Sequence, residues 1–105
     1  MSSIIFTAPR HLDPNLVMTW APGVLFVHNL PLRLEKNDYV YVCNRNRILF
    51  RAIYQEPVWD HKVTGEGEDR GYGWMLKVGK PELPPHEVTW QCAHGFRYLY
   101  QDELW

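Results

Sequence analysis

Residues 38–54 read DYVYVCNRNRILFRAIY, and the fold follows from how this stretch pairs with itself. Val40 and Val42 face one way, while Tyr39, Tyr41 and Cys43 face the other, because successive side chains on a strand alternate. Asn44-Arg45-Asn46-Arg47 is polar and can reverse the chain, since Asn tolerates positive φ better than most residues. Ile48–Tyr54 is a second run rich in β-formers. The stretch therefore predicts a β-hairpin with a tight turn.

Upstream, Ser3–Ala8 is a short apolar run whose Ile, Phe and Thr favour a strand, ended by Pro9. Leu12–Trp20 carries a helix signature: Asp13 suits the N-cap and Pro14 the first helical position. Leu12 is placed to staple onto Val17. Leu12, Leu16 and Trp20 recur at helical spacing and are expected to face the core. Pro22-Gly23 keeps this helix short. Val24–Val27 is a further strand, and Glu35–Asp38 is the polar turn that launches the hairpin.

Downstream, Glu56–Gly73 has four glycines among charged residues and reads as a surface loop. Trp74–Val78 is a strand, and Gly79–Pro85, with three prolines, is an extended connector. In Glu87–Ala93 the alternation of Val88, Trp90 and Cys92 suits a strand, whereas Pro85 and Gly95 would frame a helix; both remain open. Phe96–Tyr100 alternates as a last strand. About six strands and one or two short helices, without room for several helical crossovers, predict a mostly antiparallel sheet curled into a small barrel.

The 105 residues suffice for one domain, 1–105. The chain is 46% hydrophobic and 14% aromatic with five Trp, enough for a core with rings to spare for a surface. Eleven basic against 12 acidic residues give a net charge of −1, so any nucleic-acid contact needs a local patch. No leader is visible, and no apolar run approaches the ~20 residues of a membrane span. Two cysteines do not make a secreted disulfide framework. The expectation is a cytoplasmic protein with reduced thiols, a Cys43–Cys92 pair being the lesser alternative.

Pro31–Val42 (PLRLEKNDYVYV) resembles the segment that introduces the central strand in PUA-like domains, particularly their EVE and ASCH branches. Ile48–Tyr54, the variable loop and Trp74–Val78 follow in the order of that family. So do the first strand and short helix that precede them. The Gly usual before the Asp is Asn37 here, which can take the same left-handed backbone. The resemblance implies a small PUA-like β-barrel that binds nucleic acid without catalysis, with a modified or flipped base held in an aromatic pocket. Some ASCH-type relatives hydrolyse modified nucleosides, but their Lys, Thr and Glu set has no matching positions here.

On this reading Trp20, Trp59, Tyr72 and Trp74 are ligand-binding candidates, because rings stack on an extruded base. Asp60 could accept from a base amine, although an Asp in such a place more often caps a turn. Trp20 and Trp90 have an ordinary alternative as core residues. Arg10 precedes the helix and could help hold an anion. Arg45, Arg47 and Arg51 could touch phosphates, or simply solvate a turn. No metal or cofactor site is expected: Cys43, Cys92 and His94 lack a fourth ligand and a known spacing. A second function class is a protein–protein interaction module or inhibitor, favoured by the near-neutral charge and the acidic Glu66–Asp69; a third is the ASCH-type hydrolase.

Overall fold

The computed structural model describes residues 2–27, 30–60, 64–65, 68–69, 73–93, 95–99 and 103–105, with backbone alone at 59, 60, 64, 68 and 69. The strands are β1 (Ile4–Thr7), β2 (Gly23–Val27), β3 (Tyr39–Asn44), β4 (Arg47–Asp60), β5 (Thr64–Gly65), β6 (Glu68–Asp69), β7 (Gly73–Val78) and β8 (Phe96–Tyr98). One helix, α1 (Pro14–Met18), follows β1. The main sheet has six strands in the order β2-β7-β4-β3-β1-β8, with β5 and β6 as a separate pair. All its pairings are antiparallel except β1 with β3. Among the described residues the fold is thus mostly β with a single short helix, in a sheet curled into a half-barrel.

The hairpin that dominates the sequence is also central here. Asn44 pairs with Arg47, leaving a two-residue turn in which Arg45 and Asn46 both have positive φ (53° and 61°). That is the type I′ geometry, whose twist matches the strands it joins. Asn37 also has positive φ (77°), as the turn before Asp38 requires. Asp38 is buried and accepts hydrogen bonds from the backbone N–H groups of Ser2 (3.0 Å) and Glu35 (2.8 Å).

β4 is the strand that curls the sheet. Its first part pairs with β3 as far as Ile53, and its second part pairs with β7 from Tyr54 onward. A register shift between Tyr54 and Glu56 marks the change, where a bulge bends a strand and raises its twist. This corrects the reading of Glu56–Gly73 as one loop: the strand runs on through Pro57 to Asp60. Pro57 fits because β3 has already ended, so β4 has an open side at that point.

The curl creates two apolar clusters, one for each face of β3. Inside lie Ile4, Phe6, Val40, Val42, Phe50, Leu25, Leu76 and Val78, with Val17 from α1. Outside lie Ile5, Tyr41, Cys43 and Ile48, covered by Val88, Trp90, Cys92, Leu104 and Trp105. The covering segment is neither helix nor regular strand. It is held along β4 by isolated bridges, Arg51 with Glu82 and Arg47 with Thr89. Apolar alternation without a continuous ladder explains why both readings stayed open for Glu87–Ala93.

α1 also differs from expectation. Asp13 caps it, accepting from the Asn15 N–H at 2.8 Å, and Pro14 is its first residue. Yet Val17 is fully buried while Leu16 is 51% exposed. Leu12 lies before the cap and is not in helical phase. Leu12 and Trp20 pack on the inner cluster as expected, and within the helix Val17 rather than Leu16 is the residue that turns inward.

The thiols are not reduced. Cys43 and Cys92 form a disulfide with a Cα–Cα distance of 6.0 Å across 49 residues of sequence, within the normal range for such a bond. It fastens the covering segment to β3. Reduction, or Cys92→Ala, is expected to destabilise the fold by about 2–4 kcal/mol. Chemical denaturation of oxidised, reduced and variant protein checks this; equal midpoints in all three would contradict it.

Candidate functional site

The hairpin tip is where distant pieces of the chain converge. Asn44 is fully buried and its Nδ2 donates to the Pro9 carbonyl at 3.0 Å. Its Oδ1 has no partner among the described residues. Arg45 Nε donates to the Arg10 carbonyl at 3.1 Å. On the other side, the Asn46 carbonyl accepts from the Trp90 N–H (3.0 Å) and its Oδ1 from the Cys92 N–H (3.3 Å). The exit of β1, the turn and the covering segment thus surround a cleft of about 280 Å³, lined by Thr7, Pro9, Arg10, Arg45, Asn46 and Cys92, with Ala8 and Ala93.

Arg10, Arg45 and Arg47 are all exposed at this tip. Among the described residues, the charged side chains lining the cleft are arginines, so it is suited to an anion whose oxygens match guanidinium donors. A larger depression of about 540 Å³ lies where β4 leaves β3, but there Glu56 offsets Lys36 and Lys80. The helix adds nothing at its N-terminus for an anion, because the carboxylate of Asp13 already occupies it.

The aromatic candidates do not form one group. Trp20 is half-buried, with its ring edge-on to Phe6 at 6.4 Å between centroids. Trp74 is half-buried and packs on the same inner cluster. Gly23, just after Trp20, pairs with Val78, whereas Trp74 pairs with Val27 at the other end of β2. Four residues of strand, ~13 Å, separate these positions. Trp59 is the register partner of Trp74, and Asp60 that of Gly73. Val27, Trp74 and Trp59 therefore form one row across three strands. Tyr72 lies outside the described residues, as does His94.

Arg51 is not available to a phosphate. Its side chain is 7% exposed. Nε and Nη2 donate to the two Glu82 oxygens at 3.0 and 2.7 Å, and Nη1 donates to the Trp105 carbonyl at 2.7 Å. The guanidinium lies over the rings of Tyr39 (4.2 Å) and Trp105 (4.8 Å). The alternation that sends Tyr41 outward also sends its partner Arg51 outward, under the covering segment. Sequence reading counted Arg51 with the turn arginines because it is near them in the chain. It missed Asn46 and Cys92 as cleft residues, whose contact spans 46 positions.

No protein-family model and no curated protein matches the chain.

The hydrogen bond from Arg51 holds the Glu82 carboxyl below its usual range. A depressed acid stabilises the fold above its unfolded pKa and loses that contribution as pH falls through the folded value. Stability is therefore expected to fall on acidification through and below the ordinary Glu range, and Glu82→Gln to flatten that part of the profile. Denaturation midpoints across acidic pH check this; identical slopes for both proteins would contradict it.

Proposed function

We propose that this chain is a small, non-catalytic binding module of the PUA-like kind that holds nucleic acid at its arginine-lined hairpin tip. The observation that carries the reading is the cleft where Arg10 and Arg45, 35 positions apart in sequence, meet, with Arg47 exposed just after the turn. Near-neutral net charge makes such a local patch necessary, and the tip supplies it. The order of strand, short helix and strands, with β1 parallel to β3, supports the PUA-like assignment. So does the left-handed Asn37 in place of the family's Gly.

In this reading the tip arginines contact backbone phosphates, which position the ligand without reading its sequence. The Trp59–Trp74 row holds an unpaired or modified base by stacking. The row lies toward the far end of β4 from the turn. One nucleotide cannot touch both, and a single strand several nucleotides long can. The acidic Glu68 and Asp69 lie between Trp59 and Trp74 in the chain and repel phosphate, which directs the backbone toward the tip. Protein–protein interaction is the second reading, favoured by the exposed Val24 and Phe26 on one face of β2.

Fluorescence titration with single-stranded oligonucleotides, plain and base-modified, at several salt concentrations tests the reading. Binding should weaken as salt rises, and Arg10→Ala, Arg47→Ala and Arg45→Asn should each lower the salt slope by roughly 0.7. Asn replaces Arg45 because it keeps the left-handed turn. Trp59→Ala should cost ~1–3 kcal/mol of affinity. Absence of binding at low salt, or an unchanged slope in the triple variant, would overturn the reading.

A further inference from the structure

The Cys43–Cys92 disulfide has two unlike ends. Cys43, on the outer face of β3, is fully buried in the cluster of Ile5, Tyr41 and Ile48. Cys92 is half-buried and lines the cleft at the hairpin tip, where Thr7, Arg10 and Arg45 surround the same space. A thiol in solvent therefore meets this bond from the cleft, at the Cys92 sulfur. Access, and which sulfur is attacked, govern exchange between thiols and disulfides.

The cleft also carries charge of one sign. Arg10 and Arg45 line it, and among the described residues neither guanidinium is in an ion pair. Reactive sulfur in proteins sits in electropositive, partly exposed surroundings, whereas buried structural sulfur is inert. Cys92 has the first kind of setting and Cys43 the second. The Cys92 N–H donates to Asn46 Oδ1 at 3.3 Å, a contact that keeps Cys92 at the cleft wall when the disulfide opens. With the two Cα atoms 6.0 Å apart, the bond can form again without rearrangement.

We infer that Cys92 is a thiol-exchange site entered through this cleft, and that it takes a small thiol bearing a carboxylate. The arginines hold the carboxylate, whose oxygens match guanidinium donors, and bring the sulfur to the bond. The thiolate attacks Cys92 Sγ. A sulfur–sulfur bond forms between the two, the Cys92–Cys43 bond breaks, and its electron pair goes to Cys43, which takes a proton from water. The product is a mixed disulfide at Cys92. The Cys43 thiol can attack it and restore the original bond. In excess, a second thiolate attacks the bound thiol's own sulfur instead and expels Cys92 as thiolate, so that two thiols are oxidised to their disulfide while the protein's disulfide is reduced. The ligand is a thiol and the product covalent, so the inference stands apart from the nucleic-acid reading.

Reduction of the folded protein by an excess of mercaptopropionate, mercaptoethanol or cysteamine tests the inference. Each rate is divided by the same thiol's rate on the urea-unfolded chain, which removes intrinsic nucleophilicity. At low ionic strength the anionic thiol should be favoured over the cationic one by about tenfold or more, with the neutral thiol between them. The order should collapse at about 1 M salt, where the Debye length is about 3 Å. It should also collapse in the Arg10→Ala, Arg45→Asn variant, whose circular dichroism should match wild type because Asn keeps the left-handed turn. The salt series in wild type tests the same charge without any substitution. Acid quenching, alkylation under denaturing conditions and peptide mapping should place the thiol adduct on Cys92 and the alkyl group on Cys43. Equal corrected rates for all the thiols, a charge order that survives high salt or the variant, an adduct on Cys43, or a bond that opens only in denaturant would each overturn it.

Discussion

The structure depends on one strand being buried on both faces. Val40 and Val42 of β3 are fully enclosed on the inside, and Tyr41 and Cys43 are fully enclosed on the outside. A curled sheet supplies the inner cover by itself. The outer cover has to come from elsewhere, and here it is 82–92 with 103–105. That segment has almost no ladder of its own, so it is held at points: the Arg51–Glu82 fork, the Cys43–Cys92 disulfide and the backbone of Asn46. A buried guanidinium is costly unless its donors are matched. Arg51 is matched by a carboxylate, a carbonyl and two aromatic faces.

The same requirement shapes the candidate site. Fastening the covering segment to the turn brings Cys92 and Ala93 against Arg45 and Asn46, which makes one wall of the cleft. The parallel pairing of β1 with β3 brings Thr7–Arg10 to the other wall. Three groups distant in the chain thus meet at a turn that is itself rigid, because its geometry is fixed by two left-handed residues. The arginines divide by the face they fall on. Arg10, Arg45 and Arg47, at the turn and strand ends, stay in solvent, and Arg51, within β4, becomes part of the outer cover.

Much of the architecture was legible because it rests on local rules. The alternation of Tyr39–Cys43 separates the two clusters, the Asn-rich turn has the backbone its residues favour, and Asp13-Pro14 starts the helix. What was not legible depends on contacts between distant residues. Cys43 with Cys92, Arg51 with Glu82 and Asn46 with Cys92 leave no periodic trace. Leu16 against Val17 failed for a different reason, since a helix of five residues is too short for periodicity to set its buried side and tertiary packing sets it instead. The aromatic set was split by register, which sequence reading could not assign across β2, β7 and β4. Of the site, Arg10 and Arg45 were nameable, but their meeting was not.

Amide hydrogen exchange under native conditions tests the central role of β3 most directly. β3 lies between β1 and β4 and has apolar cover on both faces, whereas among the described residues β7 and the second part of β4 are covered on one. Val40–Cys43 should therefore exchange slowest, opening only with global unfolding, while Gln55–Trp59 and Gly73–Val78 open earlier at lower free energy. Protection in β7 equal to or above that in β3 would contradict the account.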